Sequence, residues 1–157
     1  EARPVAASEE TLDLLEDNLV LVSTGVYRAA SEVLLEQDQK SRVNDPTMID
    51  NLHAVKEIGL RSLEAIERGN LGEFGLLMHE HWENKKKRSK GMSNPDIDRW
   101  YALGLENGAL GGKLIGAGGG GFLMFYTEHK SRLRRALREA GLMEVKLAFD
   151  FEGTKLP

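Results

Sequence analysis

Between two short apolar segments, Lys113-Leu114-Ile115 and Phe122-Leu123-Met124-Phe125-Tyr126, the chain runs Gly116-Ala117-Gly118-Gly119-Gly120-Gly121. The flanking segments predict strands, so the glycine run forms their connection. Ordering glycine costs roughly 0.5–1 kcal/mol per residue relative to Ala in regular structure. A chain tolerates that cost where φ must be positive or where another group comes close to the backbone. A tight hairpin with a bulge needs about two glycines, and four in a row exceed that need. Successive N–H groups in such a turn can converge on one point and form a concavity suited to phosphate. Turn geometry and phosphate approach both stand as explanations, and the surplus of glycine favours the second. With Gly108, Gly111 and Gly112 just upstream, eight of the chain's 17 glycines fall within fourteen residues.

Glycine motifs are meaningful only in their structural setting. The spacing Gly116-x-Gly118-x-x-Gly121 matches the dinucleotide fingerprint literally, but that fingerprint opens a helix and Phe122 to Tyr126 predicts a strand. The P-loop pattern fails, because Leu114 follows Gly112-Lys113 and Asn107 stands where the leading glycine belongs. A protein-kinase glycine loop joins two strands, yet it needs a large catalytic lobe downstream.

The rest of the chain supplies the elements around this loop. Ser8 caps a short helix to about Asn18, with Glu9 and Glu10 in its first turn. Leu19 to Val22 predicts a buried strand ending at Thr24-Gly25. A helix follows from about Tyr27 to Gln39, then a polar loop to Asn44-Asp45-Pro46. A long helix spans about Met48 to Arg68, with Leu52, Val55, Gly59, Leu63 and Ile66 inward. Another spans Leu71 to Lys87, with Phe74, Leu77, Met78, His81 and Trp82 inward. Asn94-Pro95 starts a helix carrying Ile97, Tyr101 and Leu105, which Gly108 ends. A helix from Glu128 to Ala140 stops at Gly141, and Val145, Leu147, Phe149 and Phe151 alternate as a half-buried strand should. This order predicts an α+β fold: an antiparallel sheet of about four strands with helices packed on one face.

Charge and composition narrow the partners. Lys plus Arg number 21 against 25 Asp plus Glu, a formal net charge of −4, and the pI is near 5.6. That balance argues against nucleic acid or an anionic membrane as partner. The absence of cysteine removes disulfides, thiolate nucleophiles and Cys-ligated metal. No segment reaches the roughly 18 consecutive apolar residues of a membrane span, and Glu1-Ala2-Arg3-Pro4 does not begin a signal peptide. Lacking an initiator methionine, the sequence reads as a piece of something longer or a processed form, with a cytoplasmic location expected.

The segment Gly111-Gly112-Lys113-Leu114-Ile115-Gly116-Ala117-Gly118-Gly119-Gly120-Gly121-Phe122 closely resembles the third signature of the GHMP family of small-molecule kinases. Ser93-Asn94-Pro95-Asp96-Ile97-Asp98 is similar to a family segment that enters a helix. Thr24-Gly25-x-x-Arg28-x-Ala30-Ser31, with Trp82 and Lys86, looks most like the branch acting on heptose phosphates, with fucose- and glucuronate-type kinases as relatives. Ile115 departs from the pattern, since many members carry Thr or Ser there. The resemblance implies a ferredoxin-like plait spanning residues 1–157 as a C-terminal domain. The N-terminal ATP-binding domain, with its Gly-Leu-Gly-Ser-Ser-type loop, has no counterpart in this sequence. It also implies phosphoryl transfer from ATP, with Mg2+, to a hydroxyl of a sugar or sugar phosphate such as heptose 7-phosphate. No catalytic residue then lies in this chain. The loop of Gly116, Ala117, Gly118, Gly119, Gly120 and Gly121 faces the cleft, and Thr24, Gly25, Arg28, Lys113 and Lys86 are candidates for contact with substrate. An exposed apolar surface where the other domain belongs could drive self-association.

Other candidates are weaker. Lys85-Lys86-Lys87-Arg88-x-Lys90 can hold a phosphate or simply complement a helix C-terminus. No aromatic residues interleave it as RNA stacking requires. His79 and His81 are two apart, on different faces of a helix, and make a poor metal pair. His53 and His129 stand alone, and Trp82, Trp100 and Tyr101 fit core or interface roles. A non-catalytic α+β binding domain is the alternative of a different class.

Overall fold

The computed structural model describes residues 3–26, 38, 45–89, 91–116 and 118–153. The helix expected from Tyr27 to Gln39 lies outside the described residues. Among those described, the order is α1 (Glu9–Asn18), β1 (Leu19–Ser23), α2 (Pro46–Glu67), α3 (Leu71–Lys86), α4 (Pro95–Glu106), β2 (Ala109–Ile115), β3 (Phe122–Thr127), α5 (Lys130–Glu139) and β4 (Met143–Val145). The four strands form one antiparallel sheet in the order β2-β3-β1-β4. A first strand, helices, a hairpin, a helix and a last strand, with the two halves interleaved, is the split βαβ arrangement of ferredoxin-like plaits. The α+β class and the four-stranded antiparallel sheet are therefore as the sequence predicts.

Helix starts follow side-chain chemistry. Ser8 Oγ accepts from Thr11 N at 3.1 Å, and Asn94 Oδ1 accepts from Ile97 N at 3.0 Å with Pro95 at the first helical position. Asp45-Pro46, expected to belong to a loop, works the same way. Asp45 Oδ1 accepts from Met48 N at 3.0 Å, so α2 starts two residues earlier than predicted. An aspartate followed by proline is a cap as much as a turn signal.

On one face of the sheet, Val20, Val22, Leu114, Leu123 and Phe125 pack against Ile97 and Tyr101 of α4 and Leu133 and Leu137 of α5. Near one end of the other face, Leu19 and Tyr126 meet Leu15 of α1 and Leu71 and Met78 of α3. Helix α3 lies along β2, the edge strand, and α2 stacks on α3 through Ile58, Ala65 and Leu77. Covering that edge removes a template for unwanted strand pairing. The approach is close enough to require glycine on both sides. A Cβ at Gly111 would fall 2.0 Å from Gly75 O, and one at Gly75 would fall 2.6 Å from the Tyr126 ring.

Two sequence expectations change. The inward face of α2 is Met48, Asn51, Ile58 and Ala65, while Leu52 is exposed. Contact with α3 selects a stripe at steps of seven, rotated from the most apolar one. The last strand is Met143–Val145 rather than Val145 to Phe151. In the β1–β4 register Leu21 faces Val145, so Phe149 would face Asp17, which is already helical. The chain runs out of partner, and Phe149 N donates instead to Glu16 Oε2 at 2.5 Å. Leu147 and Phe149 still pack on the core beside α1, but Phe151 is exposed.

Candidate functional site

The loop between β2 and β3 is seated against two other segments, residues 24–26 and 92–94. Thr24 N donates to Gly121 O at 3.0 Å, and Thr24 Oγ1 donates to the same oxygen at 2.8 Å. Gly121 N returns a bond to Val26 O at 2.9 Å, and Gly119 N donates to Met92 O at 3.0 Å. Asn94, besides capping α4, donates from Nδ2 to Gly119 O at 3.3 Å. Opposite the strand end, Lys85 Nζ donates to Gly116 O at 2.7 Å and Leu114 O at 3.2 Å. The β2–loop junction is thereby held from α3, and the loop itself from β1 and the start of α4.

Gly118, Gly119 and Gly120 are buried in this seat, and Gly116 is exposed. Gly118 has φ +124° and Gly119 φ +75°, conformations that side chains other than glycine rarely adopt. At Gly120 the reason is space: a Cβ would lie 2.5 Å from Val26 O. The surplus of glycine thus serves close backbone approach by the chain itself. Two of the amides, those of Gly119 and Gly121, are engaged internally.

The candidate residues divide into two groups. Thr24, Gly25, Gly116, Gly118, Gly119, Gly120 and Gly121 come together at one end of the sheet. Arg28 and Ala117 lie outside the described residues. Lys86 is held by its own helix, 2.7 Å from Glu83 Oε1 and 5.9 Å from the Trp82 ring centroid. Lys113 faces a cavity between α2, α3 and the sheet, lined also by His81 and Met124. Lys85, Met92 and Asn94 were not singled out by the sequence as the loop's supports. The cap signal at Asn94 marked a helix start, and Lys85 was one of a run of equivalent cations. Gly111 and Gly112, counted with the loop in the sequence, instead serve packing: Gly111 against the backbone of α3, and Gly112 against Met124 and Phe125 of β3. Tyr101 Oη donates to Gly112 O at 3.2 Å and lies 2.8 Å from His79 Nδ1, tying α4 to β2 and α3.

Electrostatically the α3–β2 side is cationic. Burial, then Lys113 and Arg88, brings the Lys85 ammonium down to about 8. Burial, then Lys113, Arg88 and Lys85, brings His81 down to about 4. A histidine held neutral in the fold but protonated near 6.5 when unfolded makes the unfolded state bind more protons between those values. Stability from this group is present above pH 6.5 and is lost as pH falls toward 4. Urea midpoints at pH 7 and pH 4.5 should differ less in His81→Phe than in the parent. An unchanged difference would exclude His81 as a source.

Three comparisons bear on this geometry. The family model described as "GHMP kinases C terminal" matches residues 62–142, which include α3, α4, the hairpin and α5. The chain is 33% identical over 143 residues to the D-glycero-alpha-D-manno-heptose 7-phosphate kinase of Campylobacter jejuni, covering 90% of this chain and 42% of that protein. It is 33% identical over 127 residues to the L-fucokinase/L-fucose-1-P guanylyltransferase of Bacteroides fragilis, covering 79% of this chain and 13% of that protein. Among solved structures, a D-glycero-D-manno-heptose 1-phosphate kinase from Bacteroides thetaiotaomicron superposes with a TM-score of 0.58 at 25% identity, covering 92% of this chain and 36% of that one. The chain thus spans less than half the length of each of these relatives.

Proposed function

The chain belongs to the GHMP kinase family, and from that membership we propose that residues 1–157 form the C-terminal, substrate-facing domain of an ATP-dependent sugar kinase. The reaction proposed is transfer of the γ-phosphoryl group to a hydroxyl of a sugar phosphate, with heptose 7-phosphate as the preferred substrate. The observation that carries this reading is the seated glycine loop between β2 and β3, inside the residues that the family model matches. The likeness to the heptose 7-phosphate kinase, over 90% of this chain, supports the substrate. A fucose-type substrate is the second reading, supported by the likeness to the fucokinase.

Phosphoryl transfer depends mostly on positioning and charge stabilisation. The loop supplies positioning: pinned at Thr24, Met92, Asn94 and Lys85, it forms a stiff neutral wall for a cleft. No carboxylate is among these supports, so ATP phosphates and Mg2+ would be held mainly by an N-terminal domain outside this chain. When bound, ATP supplies the phosphoryl group, and the wall keeps its surroundings fixed and water out. On this reading Thr24 and Gly25, which lie beside the loop, border the acceptor. The cytoplasm, where ATP and sugar phosphates occur together, is the proposed location.

The test is coupled ADP release by the full-length enzyme with heptose 7-phosphate, fucose and mevalonate as acceptors. Heptose 7-phosphate should give the highest kcat/KM, and fucose in first place would favour the second reading. The 157-residue chain alone should give no turnover, since it carries one wall of the cleft. Sugar-dependent ADP release from the pure chain would overturn that division of labour.

A further inference from the structure

Away from the loop's seat, α2, α3 and the sheet border a cavity of about 310 Å³ that is partly open to solvent. Its walls are mostly apolar, among them Val55 and Ile58 of α2, Leu77 of α3 and Met124 of β3. Its polar lining is unusual. Lys113 and His81 stand in it, and among the described residues neither Asp nor Glu lines it. Ser62, which also lines it, uses its hydroxyl locally by donating to Ile58 O at 2.8 Å.

Burying an ammonium without a counter-charge is expensive, and proteins ordinarily provide a carboxylate. Here the neighbouring carboxylates on α3 are committed elsewhere: Glu80 to Arg61 and Glu83 to Lys86. Lys113 has no ion-pair partner among the described residues. After burial, the charge that acts on Lys113 is another cation, Arg88, and those that act on His81 are Lys113, Arg88 and Lys85. His81 Nδ1 is itself buried without a hydrogen-bond partner among the described residues. On a chain whose net charge is −4, one pocket is thus left positive and under-satisfied.

We propose that this cavity binds a small amphiphilic anion, its phosphate or carboxylate head set between Lys113 and His81 and its apolar body against Val55, Ile58, Leu77 and Met124. The head supplies the missing counter-charge and accepts a hydrogen bond from each polar group, and the body fills the apolar wall between α2 and the sheet. The proposal does not rest on the kinase assignment, because neither ATP nor a sugar enters the test.

The 157-residue chain is titrated with phenyl phosphate while the His81 ring is followed by NMR. The expected result is saturable binding of one equivalent, displaced by benzoate. In the complex His81 should titrate at higher pH than in the free chain, because an anion favours the imidazolium. Inorganic phosphate, which lacks the apolar body, should bind more weakly, and phenol, which lacks the head, should not shift the ring. Lys113→Met should weaken phenyl phosphate by about tenfold or more, the scale of a charge-assisted hydrogen bond, and Lys113→Arg should retain most of the affinity. If Lys113→Met does not fold, His81→Phe serves in its place, with weaker binding expected. No saturable shift, inorganic phosphate binding as tightly as phenyl phosphate, or unchanged affinity in the folded variants would each overturn the proposal.

Discussion

Gly111→Ala is expected to be the most destabilising small substitution in the chain. The added methyl would sit 2.0 Å from Gly75 O and 2.8 Å from His79 N, both backbone atoms of α3. A flexible side chain could swing aside, but a helix backbone packed on a strand moves only as a body. Shifting α3 would disturb Leu71, Met78 and Trp82, each in the core. Overpacking of this kind costs about 3 kcal/mol or more, a large share of the roughly 5–15 kcal/mol that holds a domain folded. Gly59→Ala is the contrasting control. It lies in α2 with nothing within 4 Å of the added carbon, so the substitution should stabilise by up to about 1 kcal/mol. Urea unfolding followed by circular dichroism measures both. A Gly111→Ala chain as stable as its parent would show that α3 is not seated on β2 as described.

On the proposed kinase function, Gly120→Ala in the full-length protein should abolish most activity while the protein remains folded. The new Cβ would meet Val26 O at 2.5 Å, forcing the loop away from residues 24–26. The stability cost should be about 1–3 kcal/mol, since the clash is at the sheet's end rather than within its core. The kinetic cost should be greater in proportion. Misplacement of a positioning element by about 1 Å can cost on the order of a hundredfold in rate. The expected measurement is a kcat lowered by about that factor, with the protein's circular dichroism unchanged. Parental kcat in Gly120→Ala would remove the loop from the cleft and with it the main support for the kinase reading.

Local chemistry made much of the fold legible. Capping residues marked α1 and α4, the two apolar runs around the glycines gave β2 and β3, and the order of elements gave an antiparallel sheet with helices. Expectations failed where tertiary contact decides. Hydrophobic spacing alone put Leu52 inward on α2, whereas the partner helix selects Ile58 and Ala65. Alternation alone carried the last strand to Phe151, whereas β1 offers no partner beyond Leu19. At the site, the loop itself was evident from its composition. Its supports were not, because a lysine that bonds a carbonyl 31 residues away, as Lys85 does at Gly116, looks like its neighbours in the run. Equally, Gly111 and Gly116 are the same letter, and only the position of α3 separates a packing glycine from a loop glycine.

The sheet order also dictates when this chain can fold. Strand β1 is central, yet both its neighbours come late: Leu19 pairs with Tyr126, and Ser23 pairs with Met143. More than 100 residues must leave the ribosome before its first strand partner exists. Until then Val20 and Val22, almost wholly buried in the finished core, have no sheet to enter. Such distant pairing slows folding because loop-closure entropy must be met before the contacts form. The nascent chain therefore carries a sticky strand while everything between β1 and β3 is made, the condition under which chaperones are needed. Truncation after α4 should leave only helices and one orphan strand, so a premature stop there would yield an aggregation-prone product rather than a smaller domain.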